Sequence, residues 1–155
     1  MVFADIYERL RPMKNSDVSG MLEIMKPLIT QGILVGRTRE ELVDRRSDYW
    51  VYAMDGMVHG CAALHIHDEL NAEIAGVAVD PRYSQLGIGR KLIARLLEEA
   101  AGIGIQKVFA LSSRSSDWFL SQGFRETSIS SLPAKRQKEY DAERKPKVLM
   151  KEFSG

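Results

Sequence analysis

The sequence lacks most of the features that mark specialised proteins. It holds one cysteine, Cys61, among 155 residues. That excludes an intrachain disulfide framework and fits a reducing compartment. No apolar run approaches the ~20 residues of a membrane span, and the opening MVFADIYERLR has no signal-peptide core. Lys and Arg number 22 against 21 Asp and Glu, a net charge of +1. Charge of one sign is therefore not in excess, and nothing global points to nucleic acid or to an anionic membrane. Repeats, low-complexity tracts and linkers are missing too. What is present, 45% hydrophobic and 28% charged residues, is enough for one full-sized core. The expectation is a soluble, cytoplasmic chain forming a single domain over 1–155.

Periodicity supplies the elements. Asn15 or Ser16 is placed to cap a helix with apolar positions Val18, Met21, Leu22, Met25 and Leu28. Pro27 falls in its last turn, so the end of that helix is open. Thr38, with Glu41 three residues on, reads as a capping box opening a second short helix. YWVYAM (49–54), an Asp55-Gly56 turn and VHGCAALHIH (58–67) form an antiparallel hairpin pattern. EIAGVAV (73–79) is apolar on both faces, as suits a central, doubly covered strand. Leu92, Ile93, Leu96, Leu97 and Ala100 then mark one face of an amphipathic helix. KVFAL (107–111), a short helix over 115–122 capped by Ser115 and closed by Gly123, and a last strand over 147–153 complete the order β-α-α-β-β-β-α-β-α-β-β. A hairpin followed by one βαβ unit predicts an α/β (α+β) fold with a mixed sheet flanked by helices.

Between the central strand and the long helix lies VDPRYSQLGIGRKL (79–92). Glycines at such a junction let backbone N–H groups approach phosphate oxygens at a helix N-terminus. A P-loop requires Lys then Ser or Thr after its last glycine, and here Arg90-Lys91-Leu92 follow Gly89. A Rossmann fingerprint requires a third glycine where Leu92 stands. The turn resembles instead the pyrophosphate loop of the GNAT acetyltransferases, Gln/Arg-x-x-Gly-x-Gly/Ala. Gly87 and Gly89 match its glycines, the Gln/Arg position falls on Ser84, and Gln85 comes next. The resemblance implies a GNAT fold that binds acetyl-CoA. Backbone groups of Gln85, Leu86, Gly87, Ile88, Gly89 and Arg90 would then hold the pyrophosphate, and Val77, Ala78 and Val79 would pair with the pantetheine arm. Close packing of helix on sheet is the other use such glycines have.

Four stretches narrow the resemblance: PLITQGILVGRTREEL (27–42), CAALHIHDELNAEIAGVAVDP (61–81), FALSSRSSDWFLSQGF (109–124) and LPAKRQKEY…RKPKVLM (132–150). From about Ile6 onward the chain resembles the acetyltransferase domain of the N-acetylglutamate synthase family, which acts in arginine biosynthesis. That family usually fuses this domain to an amino-acid kinase domain, and residues 1–9 resemble the segment after the fusion point. The resemblance implies transfer of acetyl from acetyl-CoA to the amine of L-glutamate by direct attack, with no metal, and leaves room for a homodimer.

Such a transfer requires a base for the ammonium, a proton for the thiolate and cations for two carboxylates. Glu73, in an apolar run, is the expected base, with a pKa raised by desolvation. A tyrosine that serves many GNAT enzymes as the acid is replaced by Phe119, and the resemblance offers Ser112 instead. It also implies Arg37 and Arg144 as carboxylate ligands, with Val35 and Gly76 completing the pocket. A serine common two residues after Arg144 is Pro146 here, and a cysteine common in the central strand is Gly76. Taken without the resemblance, Ser112 reads as a turn residue and the two arginines as solvated surface charges. His65 and His67 share a strand face but lack a third ligand for a metal. Residues 135–147 read as a solvated loop carrying Arg144. Two alternatives stay open: a GNAT enzyme for another amine, and a non-catalytic acetyl-CoA-binding regulatory domain.

Overall fold

The computed structural model describes residues 9–153; the stretch 1–8, most of the expected fusion junction, lies outside it. Seven strands form one sheet: β1 (Arg9–Pro12), β2 (Tyr49–Met54), β3 (Met57–Ile66), β4 (Asn71–Val79), β5 (Lys107–Ser112), β6 (Arg125–Thr127) and β7 (Lys147–Glu152). Their order across the sheet is β1-β2-β3-β4-β5-β7-β6. Only β4 and β5 run parallel, joined through a helix, so the sheet is mixed as the βαβ pattern predicts.

The helices are α1 (Val18–Thr30), α2 (Arg39–Asp44), α3 (Ile88–Gly102), α4 (Ser116–Ser121) and α5 (Ala134–Lys138). Thr38 and Glu41 cap α2 reciprocally, Thr38 Oγ1 accepting from Glu41 N at 3.1 Å and Glu41 Oε1 from Thr38 N at 3.0 Å. Three local expectations change. Asp17, not Asn15 or Ser16, takes the N–H of Lys14, at 2.7 Å. Pro27 sits inside α1, which runs on to Thr30. Ser115 makes no side-chain cap on α4; Ser112 Oγ accepts the Ser115 N–H at 2.7 Å instead. The short helix α5 falls in the stretch read as a loop.

Two cores result, one on each face of the sheet. Val18, Met21, Ile24 and Met25 of α1 and Leu42 of α2 pack on Tyr49, Val51, Cys61 and Ala63. Ile88, Leu92, Ile93 and Leu96 of α3 pack on the other face, against Tyr52, Ala62, Leu64 and Ile74. Alternate residues of β2 and β3 thus serve opposite cores, and a side chain such as Val51 contributes about 1.5–3 kcal/mol when fully buried. Beyond β5 the first face has a different cover: Leu132 and Tyr140 pack on Phe109, Val148 and Met150.

Strand β4 breaks this alternation. Ile74 faces the α3 core, yet Ala78, four residues on, faces the α1 core. The cause is a bulge: against β3 the register shifts between Cys61↔Ala78 and Ala63↔Ala75. Gly76 takes φ +63°, a conformation that costs other L-residues about 1 kcal/mol or more, and turns the strand over.

Candidate active site

The bulge has a second effect. β4 pairs with β5 only from Asn71↔Lys107 to Glu73↔Phe109, and past Glu73 the two strands part. Parting exposes backbone amides in mid-sheet, where an extended amide-bearing ligand could satisfy them. A cavity of about 460 Å³ occupies the opening, lined by Gly76, Val77, Val79, Leu111 and Ser112 and ending at Ser84 and Gly87 to Arg90. The side chains of the other expected coenzyme-side positions lie outside that lining. The Ala78 side chain is buried in the α1 core, and Gln85 and Leu86 stand exposed outside the lining.

Gly87 leads into α3 with φ +67°. The 15-residue helix directs the free N–H groups of its first turn, and the positive end of its dipole, at this cavity. Gly89 has a different cause. A Cβ there would lie 2.9 Å from Cζ2 of Trp118, so this glycine lets α4 pack against α3. One glycine thus serves the turn and the other the packing.

On the other side of Gly76 a cavity of about 220 Å³ is lined by Val35, Arg37, Glu73, Gly76 and Arg144, together with Arg136 and Pro146. Every acceptor-side residue named from the sequence meets there. Arg37 donates Nη1–H to Val35 O at 3.1 Å and Nε–H to the Tyr49 hydroxyl at 3.4 Å. Arg144 donates through Nη2 to Gly32 O at 3.2 Å and Ser113 Oγ at 3.1 Å. Among the described residues neither guanidinium has a carboxylate partner, so both hold unspent charge beside the cavity.

Glu73 is 7% exposed. Oε1 lies 2.9 Å from His67 Nε2 and accepts from Arg136 Nε at 2.9 Å; Oε2 accepts from Arg136 Nη2 at 3.3 Å. Here the expectation of a raised pKa is overturned. Burial pushes the carboxyl up, but the bonds from His67 and Arg136 outweigh it and hold Glu73 below the ordinary glutamate value. Reading only the apolar run around Glu73 missed both partners, because Arg136 is far away in the chain and His67 lies beyond the end of β3. Burial also pushes the Tyr49 phenol up, against the pull of Arg37.

Ser112, 8% exposed, lines the coenzyme-side cavity at the end of β5. Its oxygen caps the turn into α4, which leaves the hydroxyl proton free to be donated. Of the two histidines expected on one strand, only His65 lies in β3, its Nδ1 2.8 Å from Asp48 Oδ2, while His67 falls just past the strand and lies on Glu73. Among the described residues no cluster of three or more His, Cys, Asp or Glu could hold a metal, and no helix is long and apolar enough to cross a membrane.

A parted β4–β5 pair, a helix N-terminus at its mouth and a buried carboxylate beside it thus lie together in the middle of the sheet. Residues 18–124 match the acetyltransferase (GNAT) family, and the chain belongs to that family. It is 38% identical over 148 residues to an amino-acid acetyltransferase of Aeromonas salmonicida, covering 95% of this chain and 34% of that protein. The N-acetylglutamate synthase of Neisseria gonorrhoeae, solved with coenzyme A and N-acetyl-glutamate, superimposes with a TM-score of 0.90 at 34% identity, over 96% of this chain and 36% of that one. Rv2747 of Mycobacterium tuberculosis, in complex with CoA and NLQ, shares the fold with a TM-score of 0.81 over 99% of its length, at 24% identity. The chain spans about a third of the length of the curated relatives it matches.

Proposed function

We propose that this chain is an amino-acid N-acetyltransferase domain that moves acetyl from acetyl-CoA to the α-amine of L-glutamate, in arginine biosynthesis. One observation carries the choice of acceptor: Arg37 and Arg144, two guanidiniums without a carboxylate partner among the described residues, line the same cavity as Glu73. A dicarboxylic amino acid brings two carboxylates to meet them and an ammonium to meet Glu73. The relatives named above, one solved with N-acetyl-glutamate, support the same choice.

The residues divide the work. N–H groups of Gly87 to Arg90 hold the pyrophosphate at the N-terminus of α3, and Val77, Ala78 and Val79 offer backbone groups to the pantetheine arm. Arg37 and Arg144 hold the acceptor, with backbone at Val35 and Gly76. Glu73 takes the ammonium proton. The amine then attacks the thioester carbonyl, a C–N bond forms and the C–S bond breaks. Ser112 donates toward the departing thiolate.

A second acceptor is favoured by one departure. Pro146, which lines the acceptor cavity, brings no hydroxyl and no N–H to a carboxylate there. An acceptor with one carboxylate fits that change. We place the domain in the cytoplasm, as its lone cysteine suggests. We further propose that residues 1–155 fold as one domain and work as a homodimer beside an amino-acid kinase domain; the greater length of the relatives supports the kinase domain.

The experiment is release of free thiol from acetyl-CoA with L-glutamate, other L-amino acids and polyamines. Glutamate should give the highest kcat/KM. Release with another amine alone assigns a different acceptor, and binding of acetyl-CoA without release from any amine assigns a regulatory module.

A further inference from the structure

Two cavities meet at Glu73. The smaller is the acceptor cavity. The larger, about 530 Å³, is lined by His65, His67, Asp48, Arg45, Lys135 and Glu139. Arg37, Glu73, Ala75, Arg136 and Glu139 belong to both, whereas His67 lines only the larger. His67 therefore meets the carboxylate from the larger cavity. Its ring is held at Nε2 by Glu73, 2.9 Å away, and packs against Phe109 with centroids 5.3 Å apart. The imidazole is 18% exposed and the carboxylate 9%.

An ammonium has to shed a proton before its nitrogen can attack, and that proton has to leave the site. Glu73 alone is a poor resting place, since two donors favour its charged form. Imidazole takes up a proton at higher pH than a carboxylate does.

We propose that Glu73 and His67 form one proton-accepting unit, and that the larger cavity is the route by which the ammonium proton leaves. The proposal rests on the reading of Glu73 as the base of an acetyltransferase. An N–H bond of the ammonium breaks as an O–H bond forms on Glu73. That O–H bond breaks and, through water, an N–H bond forms at Nδ1 of the neutral imidazole, whose Nε2–H stays on Glu73. Imidazolium then faces a restored carboxylate and loses its proton to the open cavity. The unit returns to carboxylate and neutral imidazole, so His67 is a positioning and relay residue with no contact to the acceptor. The charged and titratable groups around it are Glu73 on β4, Lys135 and Arg136 on α5, Glu139 just after α5, Arg37, Glu41, Arg45, Asp48, Tyr49 and His65 elsewhere on the cavity wall, and Asp68 beside it. His65 is the natural comparison: it lines the same cavity but is tied to Asp48.

The test compares wild type, His67→Asn and His65→Asn by the pH dependence of kcat/KM, together with the titration of the Glu73 carboxyl by carbon NMR. Replacing His67 removes a group that holds the Glu73 carboxyl down, so that carboxyl should titrate at higher pH. If the pair is the base, the acidic limb of kcat/KM moves the opposite way, to lower pH, because the imidazole no longer titrates. In His67→Asn kcat at neutral pH should fall about tenfold or more, with both KM values within about twofold. His65→Asn should leave the limb where it is. A limb that stays put, or rises with the Glu73 titration, makes Glu73 the base by itself and overturns the proposal. The wild-type Glu73 signal should show two steps, its own and that of the imidazole, and one step in His67→Asn. A single step in wild type overturns the proposal whether or not the protein turns over. Absence of thiol release from wild type with every amine, beside a two-step titration, overturns the functional reading and leaves the proton-sharing unit standing.

Discussion

Arg136 reaches back across 63 positions of chain to lay its guanidinium on Glu73, Nε 2.9 Å from Oε1 and Nη2 3.3 Å from Oε2. The pair joins a short helix near the end of the sequence to the middle of the sheet. Together with the bond from His67, it holds the carboxyl below the ordinary glutamate value against the upward push of burial.

Removing that cation gives the first prediction. Arg136→Gln should raise the midpoint of the Glu73 carboxyl and cost roughly 1–3 kcal/mol at pH 7, the scale of a charged hydrogen bond. A carboxyl with a depressed folded-state pKa stabilises fully above its unfolded value, and that stability is lost as pH falls through the folded value. The gap between wild type and variant should therefore be widest at neutral pH and close in acid. Urea unfolding across that range reads it, and a gap independent of pH would mean that the ion pair is not its source.

Arg37→Ala and Arg144→Ala should each raise KM for L-glutamate about 10- to 100-fold, the equivalent of a charge-assisted hydrogen bond. KM for acetyl-CoA should stay close to wild type, because both side chains lie on the acceptor side of Gly76. Steady-state kinetics with each substrate varied in turn separates the two effects. Equal increases in both constants would remove the arginines from acceptor binding.

Gly76→Ala should destabilise the fold by about 1–2 kcal/mol, from φ +63° and a Cβ placed 3.3 Å from Cε1 of Tyr49. Thermal unfolding measures the loss. Coenzyme affinity should fall as well, since the bulge sets where β4 leaves β5.

Gly89→Val tests the packing role. Its side chain would collide with Trp118 and should cost about 1–3 kcal/mol as overpacking. Coenzyme A binding, measured by calorimetry, should weaken with it, because Gly89 and Trp118 line one cavity. Stability lost at unchanged affinity would separate packing from the coenzyme.

Much of this fold was legible from periodicity. Leu92, Ile93 and Leu96 announce α3 by spacing alone, and Thr38 with Glu41 announces α2, because both signals are local. The bulge at Gly76 was not legible. A strand apolar on both faces hides a change of face, and only the split between Ile74 and Ala78 reveals it. The residues expected on the acceptor side rest on resemblance, and the ionisation of Glu73 does not follow from its sequence neighbours. Desolvation can be guessed from neighbours in sequence; Arg136 and His67 are neighbours only in space. The helix carrying Arg136 is five residues long, too short to show a period.

The match to the family ends at Phe124, and the acceptor cavity does not. Arg136, Glu139, Asp141, Arg144 and Pro146 all line it from beyond that point, while the coenzyme-side lining stays within residues 28 to 122. The family match therefore covers all of the coenzyme-side lining but only one side of the acceptor cavity, whose other wall comes from the stretch between β6 and β7. Substitutions between β6 and β7 reshape that one wall and leave the turn at Gly87 untouched.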